Sequence, residues 1–189
     1  MREYFHGPPK DILKKSESYS LTNDDIERET GFQPIAYDQL ASIQTIDELL
    51  EKGKNDAIII LYLSSWNSGH YTLLYRNQNV IHFFDSYGLK EDVELKYMPF
   101  YLNEGGQPHL TRLLNSARQQ GYLIDHNPYQ LQAKKTDTTT CGIWCVTRLR
   151  FRKLSHQVFY KIFTDNKMKI ASDDILVLMN YMSFYYNIL

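Results

Sequence analysis

Residues 57–63 form an uninterrupted apolar and β-branched run, Ala57-Ile58-Ile59-Ile60-Leu61-Tyr62-Leu63. A run of this length and composition is typical of a buried β-strand. Two more strand-like runs follow at 70–75 and 80–84, and the polar tetrad 76–79 between them predicts a hairpin turn. The sequence therefore predicts a sheet at the centre of the chain.

Capping residues and amphipathic patterns predict helices on both sides of these strands. Ahead of them, one helix starts at Thr22 or Asn23 and ends at Gly31, and a short one starts at Thr45. Behind them, helices are predicted over 108–120, 141–153, 155–164 and 172–189, with short strands at 122–124 and 128–131. Residues 1–189 read as a single α+β domain, in which 1–20 is a loose arm and 90–106 an irregular surface segment.

Length and composition restrict the class of protein. The chain has 189 residues, of which 43% are hydrophobic and 14% aromatic, and this excludes disordered and low-complexity proteins. The apolar runs are far shorter than the roughly 20 residues that a membrane span needs. Two cysteines provide no disulfide framework, which fits a reducing compartment. We expect an intracellular domain without a membrane anchor.

Charge is spread unevenly along the chain. The formal net charge of −1 argues against a globally basic nucleic-acid binder. Residues 1–60 nevertheless carry a net charge of −5, whereas residues 130–170 carry +7. The basic stretch has two interpretations, a solvated helix surface or a patch that meets a polyanion such as DNA.

Three residues combine reactive chemistry with informative surroundings. His70 stands near the start of one predicted strand, and Asp85 follows the end of the next. A hairpin pairs the start of one strand with the end of the following one, so these two side chains are predicted to lie close together. Cys141 opens a predicted helix, and a helix N-terminus beside an imidazolium favours the thiolate form of a cysteine.

Neighbouring residues complete a nucleophilic site. A carboxylate such as Asp85 holds an imidazole in the right tautomer. Gly142 allows a substrate backbone to approach, and an upstream amide, Gln132 or Gln130, supplies an oxyanion donor with the Cys141 N–H. Each residue alone has an ordinary structural explanation, but their ordered combination indicates catalysis.

The motifs that carry this combination resemble the adenain and Ulp1-type cysteine proteases, and most closely those of virophages and polinton-like elements. The motifs are Gly69-His70-Tyr71, Phe84-Asp85-Ser86-Tyr87-Gly88, an upstream Gln, and Cys141-Gly142-Ile143-Trp144-Cys145. The resemblance implies a mainly antiparallel central sheet flanked by helices, with the nucleophile at a helix N-terminus. Two features depart from the family pattern. Tyr71 replaces a common Trp, and Gln132 stands nine residues before Cys141 instead of six or seven.

The resemblance also implies residue roles. His70 becomes the general base, Asp85 its orienting acid, Cys141 the nucleophile and Gln132 the oxyanion donor, with Gln130 as the alternative. Tyr71 and Gly142 become substrate-binding residues. Cys145 is expected to pack behind the nucleophile, and no metal site is expected.

The implied function is an endopeptidase that cleaves viral structural proteins during particle maturation, as a monomer, in the host cytoplasm and the virion. No cofactor is required, although DNA, through the basic stretch 130–170, or an activating peptide is compatible with the family. Two alternatives stay open. One is an isopeptidase that removes a ubiquitin-like modifier, and the other is an inactive relative that binds peptides or nucleic acid.

Overall fold

A computed structural model describes residues 14, 17–66, 68–135, 138–166 and 169–180 of the chain. Across these residues, five strands form a sheet in the spatial order of the chain. The strands are β1 (Ile35–Ala36), β2 (Ala57–Ser65), β3 (Ser68–Asn77), β4 (Val80–Phe84) and β5 (Leu123–His126). The central strands β2, β3 and β4 are antiparallel neighbours, as predicted, whereas β1 and β5 join the two edges in parallel.

Helices precede, interrupt and follow the strands, which confirms the predicted α+β class. They are α1 (Asn23–Thr30), α2 (Ile46–Glu51), α3 (His109–Gln119), α4 (Cys141–Arg150), α5 (His156–Thr164) and α6 (Ser172–Asn180). Short 3-10 helices lie at Tyr37–Ser42, Val93–Tyr97, Phe100–Leu102 and Glu104–Gly106. In the part of the chain that the structure describes, no helix is long and apolar enough to cross a membrane.

The crossover helices explain the parallel edges of the sheet, because parallel neighbours need a long connection. Helix α2 lies between β1 and β2 in sequence, and α3 lies between β4 and β5. Strands β3 and β4 need only a tight turn, since β3 runs on to Asn77 and leaves Gln78 and Asn79 as the connection. The turn therefore contains the two residues 78 and 79, instead of the four predicted at 76–79.

Helix α4 lies in the core, packed on β3. All side chains from Cys141 to Arg148 are buried, so this helix has no solvent-facing side along most of its length. Trp144 packs edge-on against Phe163 of α5, with ring centroids 4.6 Å apart. The element that carries the predicted nucleophile is therefore held rigidly.

The strand predicted at 128–131 is wrong. The backbone N–H groups of Leu131 and Gln132 both donate to the Ser86 carbonyl, at 2.8 and 3.0 Å, instead of joining a strand ladder. The Asn127 side chain further ties the segment to the turn after β4, because it donates to the Asp85 carbonyl at 2.7 Å. This segment wraps around the turn that bears Asp85.

The N-terminal arm is anchored at its described end. The Glu17 carbonyl accepts the Thr139 N–H at 2.9 Å, and the Tyr19 hydroxyl donates to Asp25 at 3.1 Å. The expectation of a loose arm is therefore wrong for residues 17–20, because they pair with the loop before α4. Apart from Lys14, the rest of the predicted arm lies outside the described residues, as does the predicted helix beyond Asn180.

The basic stretch is not a uniform surface patch. Arg148 is completely buried and donates to the Tyr75 hydroxyl and to the carbonyls of Phe151 and Leu154. Arg150 pairs with Glu29. Lys134 and Lys135, in contrast, are exposed and line the cleft described below.

Candidate active site

His70 and Asp85 are in direct contact, as the hairpin predicted. Strand pairing sets Leu73 opposite Phe84, so the start of β3 passes the residue that follows β4. His70 Nε2 lies 3.1 Å from Asp85 Oδ2, and both side chains are buried. The imidazole therefore has one ring nitrogen fixed by a carboxylate, and Nδ1 remains for another partner.

The turn after β4 holds the Asp85 carboxylate in place. Its second oxygen, Oδ1, accepts the Tyr87 N–H at 2.6 Å. The Gly88 N–H donates to the Asp85 carbonyl at 3.0 Å. Gly88 has a φ of +73°, in the left-handed region that favours glycine. A side chain at Gly88 would also collide with the Tyr129 backbone, 2.8 Å from its Cβ position. The Ser-Tyr-Gly sequence thus serves to orient Asp85.

Cys141 is the first residue of α4 and lines the same cleft as His70, with which it interacts electrostatically. Its helix start is fixed by Asp173 at the beginning of α6. One Asp173 oxygen accepts the Thr140 hydroxyl at 2.6 Å and the Trp144 indole N–H at 2.9 Å. The other accepts the Ala133 N–H at 2.8 Å. The sequence predicted a helix from residue 172 but not these contacts, because nothing local reveals such distant partners.

The electrostatics of the site favour a charged imidazole. Burial alone lowers the pKa of His70. The charge and hydrogen bond of Asp85 raise it, as do the interactions with Cys141, and together these effects outweigh burial. The pKa of His70 therefore lies well above its usual value. An imidazolium beside a cysteine is the arrangement that activates a thiol as a nucleophile.

Tyr87 covers the imidazole. Its ring is stacked on His70, with centroids 4.9 Å apart and planes 19° apart. Burial raises the pKa of Tyr87 to about 12, and the charges of Cys141, Glu94 and Asp85 add to the shift. The hydroxyl accepts a hydrogen bond from Gln132 Nε2 at 3.1 Å, so it links the imidazole to the amide. Nothing in the sequence indicated this role for Tyr87.

Of the two candidate amides, Gln132 lies in the cleft with Cys141, whereas exposed Gln130 is not part of its lining. Gln132 Oε1 accepts the Ser86 hydroxyl at 2.7 Å, and this bond fixes which end of the amide faces the cleft. Its Nε2 donates to Tyr87 and, at 3.2 Å, to the Thr138 carbonyl. Gln130 instead donates to the Gln132 carbonyl at 3.1 Å.

Glu94 is a second acid at the imidazole that the sequence analysis missed. Its Oε1 lies 4.0 Å from His70 Nε2, and the side chain is only 7% exposed. Burial raises the pKa of Glu94, while the nearby His70 lowers it and Asp85 raises it further. The residue lies on the 3-10 helix Val93–Tyr97, in a segment with no periodic pattern from which burial could be predicted.

The structure places Gly142 differently from the expectation. A Cβ at this position would lie 3.2 Å from Leu21 Cβ and 3.4 Å from the Tyr71 ring, and Gly142 does not line the cleft. The glycine therefore permits close packing of α4 against Leu21 and Tyr71, and the contact with substrate stays a prediction.

Tyr71 and Cys145 both lie behind the nucleophile. The Tyr71 hydroxyl donates to Asn23 at 2.7 Å, and its side chain lines an adjoining groove. The Cys145 thiol donates to the Tyr71 carbonyl at 3.4 Å. Complete burial raises the pKa of Cys145 well above its usual value, with a contribution from the charge of Cys141. Cys145 is therefore a packed, unreactive thiol, as predicted.

Two clefts meet at Ser20 and Ser68. The first encloses about 530 Å³ and is lined by His70, Tyr87, Glu94, Gln132, Cys141, Lys134 and Lys135, among others. The second encloses about 580 Å³ and is bordered by Tyr71 and by Trp66, which is 78% exposed. The site is thus an open groove that can accept an extended chain across Cys141.

Comparisons with known proteins place this geometry in context. The fold is similar to that of the ASFV pS273R protease, with a TM-score of 0.50 and 13% identity over 86% of this chain. The match spans 66% of the pS273R chain, and at this identity it shows a shared fold. SUMO protease Ulp1 with its catalytic cysteine oxidised to a sulfinic acid aligns with 96% of this chain and 81% of its own, at a TM-score of 0.33 and 12% identity.

Sequence comparison identifies a relative along most of the chain. No family model matches the sequence. "Uncharacterized protein V9" of Sputnik virophage is 32% identical over 175 residues, which cover 88% of this chain and 97% of the virophage protein. The chain therefore belongs to the same protein family as V9 of Sputnik virophage.

Proposed function

We propose that this protein is a cysteine endopeptidase that cleaves viral structural proteins during particle maturation. The observation that carries the proposal is the buried Asp85–His70 pair, 3.1 Å apart, which shares one cleft with a cysteine at the start of a helix. The shared fold with a viral protease and the relationship to a virophage protein support the protease activity and the viral setting.

The chemistry follows from the positions of the side chains. The Cys141 thiol proton passes to His70 Nδ1, and the sulfur forms a bond with the carbonyl carbon of the scissile peptide. The Cys141 N–H, which has no partner within its helix, and the Gln132 amide stabilise the oxyanion. One Gln132 N–H exchanges its contact with Tyr87 or Thr138 for the oxyanion. The imidazolium then protonates the leaving amine as the C–N bond breaks, and a thioester remains. Water, deprotonated by His70, hydrolyses it and regenerates the thiol.

Asp85 acts on the imidazole and not on the substrate. Its carboxylate accepts a hydrogen bond from Nε2–H, which leaves Nδ1 free to exchange a proton with Cys141. Because Asp85 is completely buried, its attraction for the imidazolium is weakly screened by solvent. Asp85 is therefore a positioning residue that also stabilises the charged intermediate state of His70.

The groove supports an extended polypeptide as substrate. The two clefts meet beside the site, so a chain passing Cys141 has room on both sides. Members of the family that the motifs resemble commonly accept small residues, often glycine, next to the cut. A small residue there fits a wall built from the large side chains of Tyr87 and Gln132.

A second candidate function is removal of a ubiquitin-like modifier, and one observation favours it. Large aromatic side chains stand exposed at and just beyond the cleft wall. Tyr97 lines the cleft, Phe100 and Tyr101 follow it in sequence, and each is more than 70% exposed. Exposed aromatic side chains mark protein interaction surfaces. Such a surface suits a folded partner as well as a capsid protein, and the site chemistry is the same.

A DNA or peptide cofactor is a further proposal. Exposed Lys134 and Lys135 at the cleft are available to an anion, whereas buried Arg148 is not. If DNA is a cofactor, activity rises when DNA is added. The logarithm of the DNA-binding constant should then fall linearly with the logarithm of salt concentration, with a slope near one per phosphate contact. Full activity without DNA at any salt concentration would exclude the requirement.

Coexpression tests the main proposal. The structural proteins encoded beside this gene are expressed singly with the wild-type enzyme or with Cys141→Ala, and intact masses are measured. New termini that occur only with the wild type establish a maturation protease and give its cleavage motif. Uncut proteins, combined with labelling of Cys141 by a ubiquitin-like vinyl probe, identify a modifier-removing isopeptidase. Uncut proteins and no labelling contradict both candidates.

A further inference from the structure

A group of metal-binding side chains lies away from the proposed active site. It comprises His82 on β4, Asp125 on β5 and His156 at the start of α5. His82 Nδ1 lies 3.0 Å and His156 Nε2 lies 3.6 Å from the same oxygen, Asp125 Oδ2. All three ligand atoms lie within 4.8 Å of one another.

These separations suit a small divalent ion. With metal–ligand bonds of 2.0–2.2 Å, the edge of a tetrahedral coordination shell is about 3.3–3.6 Å. The distance from His156 to Asp125 Oδ2 falls in that range, and the distance from His82 is slightly shorter. Two imidazoles and one carboxylate, with a solvent molecule in the fourth position, form a recurrent zinc ligand set.

The second observation is the state of His156. The residue is 5% exposed, and neither of its ring nitrogens has a hydrogen-bond partner among the described residues. A buried polar atom left unpaired costs about 1–3 kcal/mol, so a buried imidazole usually has a partner. A bound metal supplies that partner for Nε2, the nitrogen that faces Asp125.

The surroundings of the cluster bear on its affinity. The Arg148 charge acts on His156 and opposes a cation there. It is offset by the Asp125 carboxylate, and the guanidinium is occupied by the Tyr75 hydroxyl and two backbone carbonyls.

We propose that His82, Asp125 and His156 form a binding site for a divalent transition metal, with zinc as the ion that the ligand set fits best. The ion would join β4, β5 and the start of α5. Because His82 precedes Asp85 by three residues on the same strand and turn, the metal would also hold the segment that carries the orienting acid. The inference is independent of the proposed protease activity.

Zinc binding to the full chain tests the proposal. A Cys141→Ala background removes the active-site thiol, which binds zinc on its own. In this background, bound zinc is counted by elemental analysis after dialysis, and affinity is measured against a competing chelator. Asp125→Asn is the main variant, because the Asp125 side chain is 48% exposed and we expect its replacement to leave the fold intact, which circular dichroism checks. His126→Gln is the matched control, since His126 lies on the same strand but pairs with Glu91.

We expect one zinc ion fewer per chain, or at least tenfold weaker binding, in Asp125→Asn and in His82→Gln, because loss of even an outer-shell partner weakens metal binding 10–100-fold. His126→Gln should bind like its parent. Cobalt(II) should give the visible absorption of a tetrahedral centre in the parent and lose it in Asp125→Asn. Equal zinc stoichiometry and affinity in all of these variants would overturn the proposal.

Discussion

The ring of Tyr87 lies against the imidazole of His70, with centroids 4.9 Å apart, and its hydroxyl is hydrogen-bonded to Gln132. One side chain thus contacts both the proposed base and the proposed oxyanion donor. Its position follows from the turn after β4, in which the Tyr87 N–H also donates to Asp85. The turn therefore organises three components of the site together.

Replacement of Tyr87 separates its two contacts. Tyr87→Phe keeps the stacked ring and loses the hydrogen bond to Gln132. Because such a bond contributes about 0.5–1.5 kcal/mol, we expect kcat/KM to fall roughly 2–13-fold. Tyr87→Leu also loses the stacking on His70 and should lower kcat/KM further. Steady-state kinetics on a cleaved peptide measure both effects. Equal activity of the two variants would show that stacking contributes nothing.

Asp85→Asn should retain substrate binding and lose about 10²–10⁴-fold in kcat, because the amide no longer enforces the tautomer that leaves Nδ1 free. The variant also changes the pH profile. His70 has a raised pKa in the folded protein. Its imidazole is therefore fully protonated at low pH and loses the proton as pH rises through that pKa. Removing Asp85 lowers the pKa, so the alkaline limb of kcat/KM should move to lower pH. An unmoved limb would contradict the assignment.

Gln132→Ala should reduce kcat by about 10²–10³-fold, the usual cost of losing one oxyanion donor. Gln130→Ala is the matched control, since Gln130 is exposed and lies outside the cleft lining. It should stay within a few-fold of the wild type. The reverse order of effects would assign the oxyanion role to Gln130. Circular dichroism verifies that both variants are folded.

Asp173→Asn tests how the nucleophile is held. The carboxylate accepts hydrogen bonds from Thr140, Trp144 and Ala133, and an amide cannot accept all three because its NH₂ group faces a donor. We expect a loss of about 1–3 kcal/mol in the free energy of unfolding, together with lower kcat. Urea denaturation measures the free energy of unfolding. Unchanged stability would mean that α6 does not support the start of α4.

The sequence predicted those features of the molecule that depend on local pattern. The apolar run at 57–63, the hairpin and the cap of α1 are local signals, and the contact between His70 and Asp85 follows from strand pairing alone. The site also depends on contacts that are distant in sequence. Asp173 and Glu94 reach it from elements whose local pattern gives no sign of such contacts.

The errors have physical reasons of the same kind. The sequence predicted a strand at 128–131, but the Leu131 N–H donates to the turn after β4 instead of to a neighbouring strand. At Gly142, which was predicted to contact substrate, the glycine also permits the close approach of Leu21 and Tyr71, which the sequence did not predict. In both cases a long-range contact, invisible in the local sequence, decides the structure.

Site-resolved alkylation of the folded protein tests the central claim, that His70 activates Cys141, without a known substrate. The protein is treated briefly with iodoacetamide over a range of pH, and modification of each cysteine is read by peptide mass spectrometry, with buried Cys145 as the internal control. We expect rapid labelling of Cys141 down to mildly acidic pH, at least tenfold slower labelling in His70→Ala under the same conditions, and no labelling of Cys145 in either protein. Equal labelling of Cys141 in the wild type and in folded His70→Ala would contradict the account.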